Sequence, residues 1–294
     1  MKQLEFGKIA VSQVKESEAD LPVAMALPQL ESMDLERLKP WYWDDALSLD
    51  PATAALRLAV RSYVVRVDGL NILIDACNGN HKTRSLPFVD NLELPWLDRL
   101  AETGLAPNDI HLVTCTHLHA DHVGWNTRLE NGRWVPTFPN ARYVFSRKDL
   151  DFYVTQQHEP LHRESYDDSV LPVIEAGLAD IVESDHVLHR EIDDGIWLED
   201  ASGHSPGSVC VHAKRGGSHL VFTGDCMHHP VQLVRPDIPF FADEDAAQAC
   251  ATRLRLLQAH ADRESILFPA HFSGDGAGQV RSNGDSFQYS FLAR

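Results

Sequence analysis

The sequence lacks a long apolar segment and a cysteine framework. No stretch reaches the roughly 18 consecutive apolar residues that a transmembrane helix needs, and residues 1–7 contain no apolar run of signal-peptide length. The five cysteines are odd in number and include no Cys-x-x-Cys pair, a pattern that predicts reduced thiols. These absences predict a cytoplasmic protein that has no membrane partner.

Basic residues are also scarce relative to acidic ones. The 26 lysines and arginines face 43 aspartates and glutamates, so the formal net charge is −17 at pH 7 with histidine neutral. Binding the phosphate backbone of a nucleic acid requires a basic surface, which this composition does not favour. We therefore expect no nucleic-acid partner and a neutral or hydrophobic small-molecule substrate.

Two pairs of apolar stretches are typical of β-hairpins. Residues 63–67 and 70–74 flank Asp68-Gly69, and residues 208–212 and 219–222 flank Gly216-Gly217. Helical patterns accompany the hairpins in both halves, which predicts an α/β fold with two sheets packed together under helical layers. No linker or low-complexity stretch interrupts the chain, so we expect a single domain over residues 1–294.

Three helices are predicted from local signals. Residues 94–100 carry leucines at helical spacing. Ser146, followed three positions later by Asp149, is typical of a capping box at the start of a second helix. The acidic stretch 243–245 predicts the first turn of a third helix, whose apolar stripe would consist of Ala246, Cys250, Leu254 and Leu257.

Two segments depart from this regular pattern. Residues 1–50 are expected to form an N-terminal strand followed by a lid-like extension, and residues 158–176 an inserted flap or a pair of helices. Several aromatic residues are placed in the sequence where they could line a substrate pocket, although core packing is the expected fate of at least half of them. These residues are Trp41, Tyr42, Trp43, Trp125, Phe152 and Tyr153.

The stretch from Thr116 to Gly124 follows an apolar run and contains three histidines and one aspartate within six positions. An extended chain points alternate side chains the same way, so His117 and His119 can face one metal ion. Asp121 and His122 follow at a turn or helix start and can serve a second ion. Imidazole and carboxylate ligands suit zinc and similar divalent ions. A histidine-rich surface loop is the alternative that this stretch alone leaves open.

Three further metal-capable side chains stand directly after strand-like stretches. His204 lies in a Gly-His-Ser-Pro-Gly turn, Asp225 follows Thr-Gly, and His271 follows Pro-Ala. Taken singly, each is more simply explained as a hydrogen-bonded polar residue. Together with the histidine cluster, however, they occur in the order of a known family.

The sequence resembles the metallo-β-lactamase fold superfamily over roughly residues 60–275. The resemblance implies a four-layer αββα sandwich, in which two mixed β-sheets are flanked by helices and a two-metal site lies at one edge. By position, it implies one metal on His117, His119 and His204, a second metal on Asp121, His122 and His271, and Asp225 bridging the two. Asp75, at the end of its strand, also matches the family. The implied cofactor is a pair of divalent ions, zinc first, with manganese, cobalt or iron as alternatives.

Within that superfamily, the sequence is similar to the branch of lactonases and methyl parathion hydrolases, particularly over residues 224–233. β-Lactamases of the commonest type have cysteine where Asp225 stands, and flavo-diiron proteins have glutamate in place of His119. N-acyl-homoserine lactonases have tyrosine three residues after the bridging aspartate, where this sequence has His228. We expect His228 to donate a hydrogen bond to the substrate or to protonate the departing oxygen. A supporting or surface role for His228 is the alternative.

The sequence therefore predicts a metal-dependent hydrolase. A hydroxide that bridges two metal ions would attack an ester, a lactone or a related bond, phosphotriesters included, in a small and fairly hydrophobic substrate. Asp121 would orient that hydroxide, and His228 would assist the departing oxygen. The alternative is an oxidoreductase of the persulfide dioxygenase kind, which holds one iron on the same fold. Homodimers are common in the branch that the sequence resembles, so a homodimer is compatible with it.

Overall fold

Two seven-stranded β-sheets form the centre of the molecule over residues 3–191 and 194–292, the part of the chain that this computed structural model describes. The first sheet contains, side by side in chain order, every strand of the first half except β6 and β7, which form a separate hairpin. All strands of the first half, including those of the separate hairpin, are β1 (Gln3–Phe6), β2 (Ile9–Pro22), β3 (Ala55–Val67), β4 (Leu70–Ile74), β5 (Leu112–Thr114), β6 (Thr127–Glu130), β7 (Arg133–Pro136), β8 (Arg142–Ser146) and β9 (Ala179–Val182).

The second sheet is formed by the second half of the chain, again with its strands in chain order. Neighbouring strands are antiparallel except for β13–β14 here and β4–β5, β5–β8 and β8–β9 in the first sheet. Its strands are β10 (Val187–Glu191), β11 (Asp194–Asp200), β12 (Val209–Arg215), β13 (Ser218–Gly224), β14 (Ile266–Pro269), β15 (Gly278–Asn283) and β16 (Ser286–Phe291). Each half of the chain therefore builds one mixed sheet.

Helices cover the sheets and confirm the predicted fold class of two mixed sheets flanked by helices. A π-helical turn, Tyr166–Val170, joins two of these helices inside the segment predicted to be a flap or helical pair. The helices are α1 (Val23–Ala26), α2 (Ser32–Leu38), α3 (Trp96–Glu102), α4 (Ala120–Val123), α5 (Arg147–Thr155), α6 (Pro160–Ser165), α7 (Leu171–Glu175), α8 (Val231–Val234) and α9 (Ala246–His260).

The two predicted hairpins are confirmed as β3–β4 and β12–β13. The turn residues Asp68 and Gly69 have φ of 50° and 81°, and Gly216 and Gly217 have φ of 59° and 86°. Positive φ at both central positions matches the twist of a two-residue hairpin, which is why such turns favour glycine and aspartate. Local turn chemistry thus determines the register of these strands.

Aromatic rings join the two sheets face to face. The ring of Tyr63, on β3, lies 5.4 Å from the ring of Phe222, on β13, and 5.4 Å from that of Phe268, on β14. On the outer side of the first sheet, Trp96 stacks on Trp125 with ring centroids 5.3 Å apart. Apolar side chains are thus buried on both faces of the sheet, as a layered α/β sandwich requires.

The predicted capping box at α5 is wrong. The helix begins after Ser146, but the Ser146 hydroxyl makes no capping hydrogen bond. Asp149 instead accepts hydrogen bonds from the Leu118 backbone, the Ser205 hydroxyl and the Gly207 backbone at 3.1, 2.7 and 2.6 Å. These three donors come from distant loops, and they outcompete the local cap that the sequence pattern indicated.

The predicted apolar stripe of α9 is confirmed at Leu257 and wrong at Ala246 and Leu254, which are exposed, and at Cys250, which is half-buried. The helix begins at Ala246, after the acidic stretch, and Leu254 is exposed to 39%. Its buried side includes Arg253, whose guanidinium donates to the backbone carbonyls of Cys226 and Ile238. The helix face is therefore set by these polar contacts as well as by apolar packing. The buried residues are Ala249, Thr252, Arg253, Leu256, Leu257 and His260.

The extension between β2 and β3 packs as a second apolar cluster at the edge of the sandwich. It includes α1 and α2 and covers α8, Ile238 and Phe240. Trp41, Tyr42 and Trp43 are half-buried in this cluster, and the Tyr42 hydroxyl lies 2.9 Å from the Ser273 hydroxyl. These contacts support our proposal of a single domain over residues 1–294, of which residues 1, 2, 192, 193, 293 and 294 lie outside the described part of the chain.

A buried ion cluster anchors the segment that contains α6 and α7. Asp168, in the π-helical turn, lies 2.5 Å from an Arg84 guanidinium nitrogen and 3.3 Å from the Lys82 ammonium. The Lys82 ammonium also donates to the Thr127 hydroxyl at 2.8 Å. Because a buried carboxylate is stable only when it is paired and hydrogen-bonded, this cluster holds the segment against the β6–β7 hairpin.

A second buried carboxylate, Glu16, carries a testable consequence for stability. It accepts hydrogen bonds from the Asn78 backbone and side chain, the Gly79 backbone and the Trp125 indole, at 2.7 to 3.1 Å. Burial raises the pKa of Glu16, but these donors favour its charged form. We expect Glu16→Gln to lower the free energy of unfolding by about 2 to 4 kcal/mol, because the amide presents N–H groups to N–H donors.

Urea unfolding of the purified proteins measures this loss. Glu18→Gln is the matched control, since Glu18 lies on the same strand, is exposed and pairs only at the surface with Lys15 at 3.3 Å. We expect the control to change stability by less than about 0.5 kcal/mol. Equal stability of the two variants would show that the Glu16 network contributes nothing.

Candidate metal centre

All seven predicted metal ligands come together at one edge of the sandwich. β5 leads into the loop that carries His117 and His119, and α4 follows with Asp121 and His122. His204 lies between β11 and β12, whereas Asp225 and His271 follow the parallel strands β13 and β14. Because parallel strands end at the same edge of a sheet, their loops meet there.

Three imidazoles form the first group. The Nδ1 atom of His119 lies 2.9 Å from the Nε2 atom of His117 and 2.9 Å from the Nε2 atom of His204. His117 and His204 are buried, and His119 is half-buried. Three nitrogens at this separation can bind one divalent ion.

Asp121, His122 and His271 form the second group. The Asp121 carboxylate lies 3.7 Å from the Nε2 atom of His122 and 3.6 Å from the Nε2 atom of His271. The two histidines are buried, whereas the Asp121 side chain is 31% exposed. One oxygen and two nitrogens can therefore converge on a second ion, with Asp121 on its open side.

The carboxylate of Asp225 lies between the two groups. Its Oδ2 atom is 3.2 Å from the Nε2 atom of His204, in the first group, and 3.1 Å from that of His271, in the second. Its Oδ1 atom is 3.2 Å from the Nε2 atom of His122. A carboxylate in this position can bind both ions at once.

Two glycines allow the ligand loops to approach their neighbours closely. Gly224 has φ of 49°, and a Cβ atom there would lie 2.7 Å from the Thr116 hydroxyl oxygen. Gly203 has φ of 137°, and a Cβ atom there would lie 2.3 Å from the Ala249 backbone nitrogen. Side chains at either position would push Asp225 or His204 away from the centre.

The outer nitrogens of three ligand imidazoles face oxygen atoms. The Nδ1 atom of His204 is hydrogen-bonded to Asp243 at 2.9 Å, and that of His271 to the Ala59 carbonyl at 2.8 Å. The Nδ1 atom of His122 lies 2.9 Å from the Asp75 carboxylate. Such partners hold the proton on the outer nitrogen and leave the inner one free to bind a metal.

Two residues of this outer layer were missed by sequence reasoning. The sequence pattern predicts Asp149 as part of a capping box and Asp243 as part of an acidic first turn, whereas their carboxylates bind the ligand loops. Each precedes or begins a helix, so the local pattern favoured the simpler interpretation. Only the fold shows that Asp149 contacts Ser205 and that Asp243 contacts His204.

The chemistry of the centre fits a pair of divalent metal ions. The Nε2 atom of His122 and the Oδ1 atom of Asp225 are buried 3.2 Å apart, yet neither forms a well-aligned hydrogen bond within the described residues. Buried polar atoms without partners are rare in folded proteins and call for an explanation such as an ion. The donor set of imidazoles and carboxylates is the one that zinc and similar ions prefer.

Electrostatics separate the protonation states of the central groups. Burial, with help from neighbouring imidazoles, holds the pKa values of His117 and His119 well below the usual range, so both rings are neutral. Burial disfavours the charged form of Asp225, but the surrounding imidazoles outweigh it and hold the pKa of this carboxyl well below its usual range. The centre thus contains a carboxylate and two neutral imidazoles, those of His117 and His119.

The other three imidazoles hold protons more tightly in the metal-free protein. For His204, the carboxylates of Asp225 and Asp243 outweigh burial and raise its pKa to about 9. The same balance, again with Asp225 as the main partner, raises the pKa values of His122 and His271. Protons and metal ions therefore compete for these nitrogens.

His228, the predicted catalytic residue, lies beside the two ligand groups. Its Nε2 atom is 3.1 Å from the Oδ2 atom of Asp225, and its ring stacks on that of Phe240 with centroids 3.6 Å apart. The ring is buried, and its Nδ1 atom has no hydrogen-bond partner within the described residues. The structure thus places His228 at the centre, 5.0 Å from His204 between ring centroids.

The open side of the centre faces α6. His162, on this helix, lies 6.5 Å from His119 between ring centroids, and its Nε2 atom lies 3.1 Å from the Glu244 carboxylate. Among the predicted pocket aromatics, Tyr153 packs against His162 at 4.9 Å. Trp125 is instead a core residue stacked on Trp96.

Comparison with protein families identifies one match over most of the chain. The model of the Metallo-beta-lactamase superfamily matches residues 55–271, and this range contains all seven predicted ligands. The match confirms the family that the sequence resembles.

Curated relatives are lactonases. The chain is 27% identical over 231 residues to N-acyl homoserine lactonase AiiA of Bacillus thuringiensis subsp. kurstaki, covering 74% of this chain and 82% of the relative. It is 25% identical over 229 residues to an N-acyl homoserine lactonase of Bacillus cereus, with the same coverage. These relatives agree with the predicted enzyme class.

Solved structures share the fold over almost the whole chain. The hydrolase AbOPH, of the beta lactamase superfamily, has a TM-score of 0.81 at 21% identity and covers 99% of this chain and 97% of its own. AidC, a dizinc quorum-quenching lactonase solved with its product, has a TM-score of 0.79 at 20% identity and covers 100% and 97%. Among the described residues, no helix combines the length and apolar character needed to cross a bilayer.

Metal binding to the metal-free protein should release protons near neutral pH. Metal ligands must be deprotonated, and a group whose pKa is raised to about 9, as that of His204 is, still carries its proton at neutral pH. We expect the release of about one proton or more per chain on zinc binding, with fewer protons released as the pH rises above that pKa. Titration calorimetry in buffers of different ionisation enthalpy measures this number.

Two variants calibrate the measurement. His204→Ala should release about one proton fewer than the unaltered protein. His219→Ala should release the same number, because His219 lies outside the centre and burial lowers its pKa to about 4. Zinc binding without proton release near neutral pH would contradict the protonation states described above.

Proposed function

The chain belongs to the metallo-beta-lactamase superfamily, and from this premise we propose that it is a two-metal hydrolase of lactones and related esters. The observation that carries the proposal is the position of Asp225, whose carboxylate lies within 3.2 Å of imidazoles from both ligand groups. A bridging carboxylate has a role only where two ions are bound side by side.

His117, His119 and His204 would hold the first ion, and Asp121, His122 and His271 the second, with Asp225 shared. We propose zinc for both ions, because imidazoles and carboxylates make up the whole donor set. Bound there, the ions would polarise the substrate carbonyl and lower the pKa of a water molecule between them. The remaining steps belong to side chains of the chain itself.

Asp121 would accept the proton of the attacking water. Its side chain is 31% exposed, whereas every ligand histidine except His119 is buried. Its oxygen lies 3.6 Å or more from the neighbouring imidazoles, so it is less tightly held than Asp225. A carboxylate on the open side of the centre can orient a water molecule and take up its proton.

His228 would stabilise the departing oxygen. Its Nε2–H points to the Oδ2 atom of Asp225 at 3.1 Å, and a departing oxygen beside that carboxylate would share this N–H. The stacked ring of Phe240 holds the imidazole in this orientation. A neutral imidazole can donate a hydrogen bond to a carbonyl oxygen or to a departing alkoxide, which then takes its proton from water. In this position His228 would do the work that tyrosine does in the homoserine lactonases that the sequence resembles.

Two neighbouring aromatic rings beside His228, one of them exposed, support a hydrophobic substrate. Phe240 lies on the His228 ring, and Phe241, 4.9 Å from Phe240 between ring centroids, is 50% exposed. The net charge of −17 disfavours polyanionic substrates. A neutral lactone or ester with an apolar chain fits both features.

The relatives support this choice of substrate class. The curated relatives are N-acyl homoserine lactonases, and AidC was solved in complex with the product N-hexanoyl-L-homoserine. We also propose that the protein is cytoplasmic and forms a homodimer, in line with the sequence analysis.

A panel of substrates tests the proposal. Protein loaded with zinc, manganese or cobalt should contain about two ions per chain and hydrolyse acyl homoserine lactones, aryl esters or phosphotriesters. Asp121→Ala should lower kcat/KM for every accepted substrate by at least about 100-fold, because it removes a ligand and a proton acceptor together. Steady-state kinetics and elemental analysis measure both quantities.

The same protein preparations also test the alternative, an iron-dependent oxidoreductase. About one iron per chain, thiol-dependent oxygen consumption and no hydrolysis would contradict the proposal and favour the persulfide dioxygenase kind of oxidoreductase.

The role of His228 has its own test. We expect His228→Ala to lower kcat by roughly 100-fold for lactones and alkyl esters, whose departing alkoxides need a hydrogen bond. The loss should be much smaller for aryl esters with acidic phenols, whose departing oxygens need little assistance. An equal loss for both substrate classes would mean that His228 supports the centre rather than the departing oxygen.

A further inference from the structure

Asp243 lies outside the ligand set, yet its side chain is fully buried beside it. One carboxylate oxygen is hydrogen-bonded to the Nδ1 atom of His204 at 2.9 Å, and the other accepts from the Phe240 backbone at 2.8 Å. We infer that Asp243 is a positioning residue that uses one carboxylate to orient both a metal ligand and the aromatic wall over His228. This inference rests on the proposed metal-dependent function.

The first contact determines which nitrogen of His204 carries the proton. A carboxylate accepts hydrogen bonds only, so the proton of the neutral imidazole must lie on Nδ1. The lone pair then lies on Nε2, which is 2.9 Å from the Nδ1 atom of His119 and 3.2 Å from Asp225. A residue that donated a proton to Nδ1 would reverse this arrangement and remove a ligand.

The second contact determines where the Phe240 ring lies. The Asp243 carboxylate holds the Phe240 backbone, and the Phe240 ring stacks on His228 at 3.6 Å and 13° between planes. Moving this backbone would uncover one face of His228. The same carboxylate therefore controls a wall of the proposed substrate site.

Asp243 is itself held from behind by Arg253. The two side chains are fully buried, with a guanidinium nitrogen 3.7 Å from the carboxylate. Arg253 also donates to the carbonyls of Cys226 and Ile238, at 2.8 Å each. Cys226 follows Asp225 directly. Arg253 therefore connects α9 to the segment that carries Asp225 and, through Asp243, to His204.

The burial of Asp243 is not explained by a role as the N-cap of α9. The N-cap of α9 is Asp245, whose carboxylate accepts from the Gln248 backbone at 2.9 Å. The backbones of Glu244 and Asp245 instead donate to the carbonyls of His204 and Gly203, at 3.1 and 2.9 Å. The loop before the helix thus folds around His204, with the Asp243 carboxylate at its centre.

Asp243→Asn tests the inference, because asparagine keeps the shape but has one oxygen for two N–H donors. We expect the affinity for one of the two zinc ions to fall by about 10- to 100-fold. Competition with a chromophoric chelator measures this affinity without any substrate. In zinc-loaded protein labelled with 15N-histidine, the Nδ1–H resonance of His204 should shift or disappear while those of His122 and His271 persist.

Asp237→Asn is the matched control, since it removes the same charge from an exposed carboxylate that pairs with Arg235 at 2.9 Å. It should leave zinc affinity and the three resonances unchanged. Phe240→Leu separates the two contacts: zinc affinity should persist, whereas kcat for lactones should change because His228 loses its stacking partner. This variant also keeps the inference testable if Asp243→Asn does not fold.

Unchanged zinc affinity and an unchanged His204 resonance in Asp243→Asn would overturn the inference. So would weakened zinc binding in Phe240→Leu equal to that in Asp243→Asn, since it would show that general loosening of the loop is the cause. If the unaltered protein binds two zinc ions but hydrolyses nothing in the panel, the proposed function fails while the zinc and resonance measurements still decide the role of Asp243.

Discussion

The convergence of imidazoles on the Asp225 carboxylate is the constraint on which the rest of the structure depends. Five rings, those of His117, His122, His204, His228 and His271, approach this carboxylate to between 3.1 and 3.9 Å inside the protein. Burying so many polar groups is unfavourable unless each atom has a partner. Ions can satisfy the inner atoms, but the fold must hold the rings from outside.

The outer contacts explain why remote carboxylates are buried in this protein. Asp149 joins the loop of His117 and His119 to the loop of His204 through hydrogen bonds to Leu118, Ser205 and Gly207. Asp243 joins the His204 loop to α9. Each of these carboxylates accepts donors from two segments that are far apart in sequence, so the ligand loops are held relative to one another as well as to the sheets.

Sequence reasoning predicted the parts of the structure that depend on local chemistry. The hairpin turn could be predicted because Asp68 and Gly69 tolerate the positive φ angles that the turn requires. The positions of the predicted ligands could be predicted from short motifs that follow strands. The functions of Asp149 and Asp243 could not be predicted, because the same acids also fit helix starts. The buried face of α9 was missed because Arg253, a charged residue, is inside the protein, where it binds carbonyl groups that only the fold brings near.

The residues around His228 come from other segments than the predicted ligands, so under the proposed function substrate choice is separate from metal chemistry. The family model begins at residue 55, whereas apolar residues of the preceding segment 23–54 share one buried cluster with Phe240. The Phe241 backbone donates to the Ala26 carbonyl at 3.1 Å, so the extension and the wall over His228 are joined directly. Substitutions in the extension should therefore reach His228 through Phe240 without disturbing the ligands. Asp243 is the exception, because its carboxylate is hydrogen-bonded both to the Phe240 backbone and to His204.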